Sequence, residues 1–304
     1  MRKFILRLML FFIVLLIADR AIGVVMDYFV RHSVGGFGAR HNYINDTMSK
    51  DILVFGSSRA IEHYNAHMME DSLGMSCYNC GHSGYGIIFN YGQWLMISKR
   101  YHPKYIIYDV KEFFDLFIGK SNVLYLDLLR PYYGREGIKA IFDAVDKTEK
   151  YKMLCQMYKS NSRFLQIAAD YFYPMRTIDS YGFRPVDKEL DVMQAEGSVK
   201  EPFVMPEIDS LKIGYLEQMI NSLGPTKLIF VISPMWNGMD VRAQQPILDL
   251  CEKYYLPLYN FANNPKYVRE NQYFYDREHL NLRGANEFTK DLIKVLKNDS
   301  IILK

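Results

Sequence analysis

The hydrophobic pattern divides the chain before any single residue is considered. Arg2, Lys3 and Arg7 precede an unbroken apolar run from Leu8 to Ala18. Asp19 and Arg20 interrupt it, and a second apolar stretch runs from Ala21 to Met26. A membrane span needs about 20 mostly apolar residues. Phe4 to Met26 reaches that length if the Asp19–Arg20 pair sits near an interface, where the two charges can snorkel. Two readings follow. One is an uncleaved transmembrane anchor over residues 1–30; the other is a signal peptide with Ala21-x-Gly23 as its cleavage site. The apolar continuation through Val24 and Val25 favours the anchor. In both, the basic flank stays inside and the rest of the chain is exported, so the expected location is the cell membrane, single-pass, with the main domain outside.

Residues 31–50 are polar and contain glycine, and are expected to form a linker. Beyond them the pattern alternates. Asp51-Ile-Leu-Val-Phe55 is a short apolar run ending at Gly56, which suits a buried parallel strand. Ile61 to Leu73 has helical spacing and stops at Gly74. Met75–Tyr78 reads as a second strand and Ile87–Arg100 as a second helix. Tyr105–Tyr108, Lys227–Ile232 and a short Pro257–Tyr259 complete the strands, and Arg283–Lys297 closes with a helix. Strands alternating with helices predict an α/β domain over residues 51–304, with a parallel central sheet covered on both faces. From about 113 to 206 the rhythm fails. That stretch, with helix-like pieces rich in Tyr, Phe and Met, reads as a helical insertion over the carboxyl ends of the strands, where open α/β sheets bind ligands.

Composition narrows the function classes. A net charge of +3 without any Lys/Arg run argues against a nucleic-acid partner. Cys77 and Cys80 form C-x-x-C, but no second pair and no nearby His pair completes a zinc site, so no metal is expected and a structural role suits them.

Three short segments carry candidate chemistry, each at the carboxyl end of an expected strand. Gly56-Ser57-Ser58-Arg59 joins the first strand to the first helix. A serine hydroxyl there lies near backbone N–H groups that can stabilise an oxyanion, although serine at a helix start also serves as a cap. Asn79-Cys80-Gly81-His82-Ser83-Gly84 is a turn rich in glycine that presents further N–H groups, and is also consistent with an ordinary tight turn. Tyr275-Asp276-Arg277-Glu278-His279-Leu280-Asn281 sets Asp and His three apart, so that the carboxylate can orient the imidazole, with Asn281 placed to cap the next helix. His63 and His67, four apart on the first expected helix, lack further ligands and read as surface or partly buried residues. His82 reads as a turn residue and Ser57 as a minor alternative nucleophile.

Taken together and in this order, the three segments resemble the blocks of the SGNH, or GDSL-like, hydrolase superfamily, over most of Asp51 to Leu296 outside the insertion. Within it they resemble a membrane-anchored branch that handles acyl groups on envelope polymers. The resemblance implies a flavodoxin-like three-layer sandwich and a Ser58, His279, Asp276 catalytic triad. It also implies an oxyanion site from the N–H groups of Ser58 and Gly84, and no cofactor. The implied function is an exported serine esterase or O-acyltransferase acting on acyl esters, acetyl foremost, of a cell-envelope glycan. The alternative is a non-catalytic glycan-binding or assembly protein on a degenerate scaffold. That alternative is motivated by one departure: where the family carries Gly-x-Asn-Asp, this chain reads Asp109-Val-Lys-Glu-Phe113-Phe114, with Phe113 in place of the asparagine that donates to the oxyanion. An insertion folded over the site, with an acceptor groove lined by some of Tyr125, Tyr132, Tyr133, Tyr171 and Tyr173, would compensate by excluding water.

Overall fold

Five parallel strands form the centre of a computed structural model that describes residues 1–160, 163–174, 178–196 and 204–299. They are β1 (Ile52–Gly56), β2 (Cys77–Asn79), β3 (Tyr105–Asp109), β4 (Lys227–Ile232) and β5 (Leu258–Asn260). The spatial order is β2-β1-β3-β4-β5, the flavodoxin-like order, with helices on both faces making a three-layer sandwich. β1 and β3 are paired along their whole length, from Ile52 opposite Tyr105 to Gly56 opposite Asp109. Their side chains alternate between two dry faces, which is why both strands are buried at every position. Ile52, Val54, Ile107, Ile229 and Val231 pack with Met69, Leu73, Phe288, Leu292 and Leu296 on one face. On the other, Tyr108 meets Phe230 and receives a hydrogen bond from Asn90 of the helix Ile87–Ser98. The order reverses at β1, so the connections after β1 and β3 leave toward opposite faces and open a crevice between their carboxyl ends.

The expected helix Ile61–Leu73 is two helices, Ser58–His63 and Ala66–Leu73, separated at Tyr64-Asn65. Asn65 starts the second by accepting from Met68 N–H, and Gly74 ends it in the left-handed conformation. His63 and His67 therefore do not share a helix face. His63 is fully buried, contrary to the surface reading, while His67 stacks on Tyr181.

The chain divides into two compact units: Met1–Met48 with Asn122–Thr177, and Ser49–Ser121 with Ile178–Lys304. The expected insertion at 113–206 is thus split. Its middle belongs with the amino terminus, its two ends belong with the sheet, and residues 161–162, 175–177 and 197–203 lie outside the described residues.

In the first unit, Arg2–Arg31 is one helix, long and apolar enough to cross a membrane. Asp19 has partners within the unit. Its carboxylate accepts the backbone N–H groups of Gln156 and Met157, both at 2.9 Å, and the Cys155 thiol at 3.0 Å. One turn on, Gly23 lies so close that a Cβ there would come within 2.3 Å of Gln156 Cβ. Residues 31–50, expected as a linker, instead form the helix Gly36–Asn42 and a wide turn over Tyr43–Thr47. The Asp170 carbonyl accepts from Val34 and Gly35 N–H, and its carboxylate accepts from Gly38 N–H at 2.8 Å. Gly36 has φ +58, and a Cβ there would collide with that carboxylate at 2.0 Å, so only glycine fits. Four of the five tyrosines expected to line a groove are buried or find partners inside this unit. Tyr132 donates to Asn42, Tyr133 packs edge-on against Phe142, Tyr171 stacks on Phe29, Tyr125 is buried and Tyr173 is exposed. Aromatic side chains of this number are what a small helical unit needs to close its own core.

Candidate active site

β1 ends at Gly56, whose φ is +137; a Cβ there would stand 2.6 Å from the Asp109 carbonyl oxygen. Glycine is required for the chain to turn this tightly beside β3. The turn delivers two serines to different environments. Ser57 is fully buried and its Oγ has no hydrogen-bond partner among the described residues. Ser58 opens the helix Ser58–His63, and its Oγ lies 2.7 Å from His279 Nε2. Neither hydroxyl caps the helix.

The segment that presents His279 is a short hairpin closed by a bridge between Phe274 and Leu280. Within it Asp276 Oδ1 accepts the backbone N–H groups of Glu278 and His279, both at 2.8 Å, an Asx-type turn. The same carboxylate reaches His279 Nδ1, at 2.9 Å from Oδ1 and 2.8 Å from Oδ2. A carboxylate only accepts, so Nδ1 carries the proton and Nε2 is left bare to accept from the Ser58 hydroxyl. Burial pushes the Asp276 carboxyl up. The bonds from His279 and from the two N–H groups outweigh it, and the group sits below the usual carboxylate range. Asn281 follows as the cap of the helix Leu282–Asn298, accepting from Gly284 N–H at 3.0 Å.

His63 pins this hairpin from behind. Its Nε2 accepts the Leu280 N–H at 2.9 Å, so Nδ1 is the protonated nitrogen and faces Ser233 Oγ at 3.0 Å. Burial, aided by the nearby His279, holds its pKa well below the ordinary value, so the ring stays neutral. Its sequence neighbours, Glu62 and Tyr64, gave no sign of this burial. Tyr275 lies parallel to the His279 ring at 5.5 Å and donates to Glu62 at 2.6 Å; Glu62 also pairs with Arg184.

The turn after β2 is held by Asn79, which donates to the carbonyls of Ala60 and Tyr64 and accepts from Gly81 N–H. His82 N–H is taken up by the Gly56 carbonyl, and its ring is buried against Tyr85 and Phe89. Gly84 stands exposed at the tip with φ +83 and open space around its Cα. Cys77 and Cys80 are buried thiols, and burial pushes the Cys77 thiol up, in keeping with a packing role.

After β3 the side chain that approaches Ser58 is Lys111, and Phe113 does not replace the expected asparagine. Phe113 is half-exposed and offers its carbonyl to Lys212. Lys111 Nζ lies 3.4 Å from Ser58 Oγ and 2.6 Å from Glu278 Oε2. Behind them Arg59, buried, pairs with Asp109 at 3.8 Å and Glu112 at 3.4 Å and donates to the Val110 carbonyl.

A cavity of about 340 Å³ opens beside His279, walled by Tyr275, Asp276 and Glu278 and, from the carboxyl-terminal part of the insertion, Lys188, Leu190 and Asp191. That part is laced to the sheet unit. Asn79 N–H donates to the Tyr181 carbonyl, Arg184 N–H to Ile61, Leu282 N–H to Val186, and the Arg277 guanidinium to Ala195.

No model of a known protein family matches the sequence, and no curated protein matches it. Among solved structures, the fold is similar to that of an acetyl xylan esterase from the rumen bacterium Butyrivibrio proteoclasticus. The two share 11% identity and a TM-score of 0.37 over 84% of this chain and 66% of that one, a little under two thirds of its length.

Proposed function

We propose that this chain is a serine-dependent ester hydrolase or O-acyltransferase, anchored in the cell membrane, that acts on the exported side on acyl esters of an envelope glycan, acetyl esters foremost. The observation that carries the reading is the relay from Ser58 Oγ through His279 to Asp276, with donor and acceptor atoms at 2.7 and 2.8 Å. In this reading Ser58 Oγ attacks the acyl carbonyl and passes its proton to His279 Nε2. The Asp276 carboxylate keeps the imidazole in the tautomer that can accept it and stabilises the imidazolium. The carbonyl electron pair moves onto oxygen, where the N–H groups of Ser58 and Gly84 are the proposed backbone donors. Collapse breaks the ester C–O bond as His279 protonates the departing sugar oxygen. Water or a second hydroxyl then releases the acyl group from Ser58, giving hydrolysis or transfer. The exported placement rests on the basic residues Arg2, Lys3 and Arg7 ahead of the apolar helix. The envelope glycan rests on that placement and on the family resemblance.

The test is labelling by an activated-serine probe alongside turnover of an aryl acetate. Ser58→Ala and His279→Ala should abolish both, Ser57→Ala should retain both, and Asp276→Asn should lower turnover about 10⁴-fold by trapping the wrong tautomer. An active Ser58→Ala with an inactive Ser57→Ala would overturn the nucleophile. Neither labelling nor turnover in the parent protein would overturn the enzyme reading in favour of glycan binding.

A further inference from the structure

We propose that the Lys111 ammonium receives the oxyanion formed at Ser58, as a catalytic residue standing in for the side-chain amide that this chain lacks. The inference rests on the serine-hydrolase reading above and concerns the same site. Its basis is position. Ser58 follows β1 and Lys111 follows β3, the two strands that flank the reversal of strand order, so the topology brings their side chains to one crevice. Lys111 Nζ reaches to 3.4 Å of Ser58 Oγ although the residue is only 8% exposed. The oxyanion grows on the carbon that becomes bonded to this Oγ, so a donor already beside Oγ meets it with a small shift.

The lysine is held for this task. Its backbone N–H donates to Asp115 Oδ2 at 2.7 Å, and Asp115 is fixed in turn by the Tyr108 hydroxyl at 2.7 Å. Its ammonium is anchored by Glu278 at 2.6 Å and lies 5.3 Å from the Phe114 ring centre. Glu278 is a positioning residue. An ammonium has three donors and no acceptor. One is committed to Glu278, leaving the others to follow the oxygen. The ion pair also argues against Lys111 as the base, because a protonated amine has no lone pair, and His279 Nε2 already fills that role at 2.7 Å. In the step, the Ser58 Oγ–carbon bond forms, the Ser58 proton goes to His279, and the carbonyl pair becomes the oxyanion. Lys111 keeps all three protons throughout. Its full charge opposes a full charge, and its side chain is only 10% exposed, which makes it a stronger donor than a neutral amide.

The full-length protein in detergent tests this with two readouts: aryl acetate kinetics, and affinity for an alkyl boronic acid, which forms a tetrahedral anion on the serine. Lys111→Met should lower kcat about 10²- to 10³-fold with KM little changed, and boronate affinity should fall in parallel. Lys111→Ala should recover part of its kcat when methylammonium is added, a rescue that a misfolded protein would not show, while Ser58→Ala stays inactive with or without the amine. If Lys111→Met keeps kcat and boronate affinity within about threefold of the parent, or if Lys111→Ala is dead and methylammonium restores nothing, the assignment of Lys111 is overturned while an inactive Ser58→Ala leaves the serine reading standing. If Ser58→Ala is itself active, the underlying reading fails instead.

Discussion

Carboxylates in the two units of the chain are spent in different ways. In the unit built on the amino-terminal helix, Asp19 gives its oxygens to the backbone N–H groups of Gln156 and Met157 and to a thiol, and Asp170 accepts from Gly38 N–H and Gln166. In the sheet unit, Asp276 also satisfies two backbone N–H groups, but it does so through Oδ1 and keeps Oδ2 for the His279 ring. Two aromatic contacts also differ in what they serve. Tyr171 stacks on Phe29 to close a core, whereas Tyr275 stacks on His279. The residue types are the same. What separates scaffold from candidate site is that the ring held by Asp276 hands a hydrogen bond on to the Ser58 hydroxyl, whereas the partners of Asp19 and Asp170 are backbone N–H groups, a thiol and an amide.

The sharpest way to test that contrast is to loosen the hairpin without touching the relay. His63→Leu removes the acceptor of the Leu280 N–H, and the resulting shift of His279 should lower kcat for an aryl acetate on the order of 10²-fold. Addition of imidazole should not rescue it, since His63 positions the loop and exchanges no proton. An unchanged kcat would show that Asp276 alone shapes the hairpin. A smaller effect is expected from the other unit. Asp19→Ala leaves the N–H groups of Gln156 and Met157 without their acceptor, at about 1 kcal/mol for each. Limited proteolysis should then cut near residues 155–157 earlier, with aryl acetate turnover unchanged. Lost turnover would mean that the two units are coupled.

The smallest effect concerns Asp115, whose carboxyl burial pushes up to about 6. Its ordinary value is about 3.9. A raised carboxyl favours the fold fully below that value, and the contribution is lost as pH rises through about 6, because the fold must then hold a buried charge. Asp115→Asn should therefore cost more thermal stability at pH 4 than at pH 7. Equal costs at the two pH values would show that the hydrogen bonds from Tyr108 and Lys111 cancel the burial.

Much of this protein is written in short-range patterns. The apolar runs at 52–55, 105–108 and 228–232 are four or five residues long and end at Gly56, Asp109 and Ser233-Pro234, a length and punctuation that suit strands buried on both faces. The Asn281 cap and the Asp276-x-x-His279 spacing are equally local, since a turn of three residues is enough to bring that carboxylate to that ring. The break between Ser58–His63 and Ala66–Leu73 was not legible, because apolar spacing continues across it and the hydrogen bonds from Asn79 to the carbonyls of Ala60 and Tyr64 come from another strand. Nor was the division of the chain, in which residues 31–50 and the middle of the insertion join the amino-terminal helix. Lys111 is the clearest case. In the sequence it is a lysine after a strand, 53 residues from Ser58, and no local pattern relates the two. The pairing of β1 with β3 and the reversal of strand order beside them put both at one end of the sheet. Periodicity and turn chemistry act over a few residues and can be read from the chain alone, whereas which distant side chains meet depends on strand order, which the whole core determines at once.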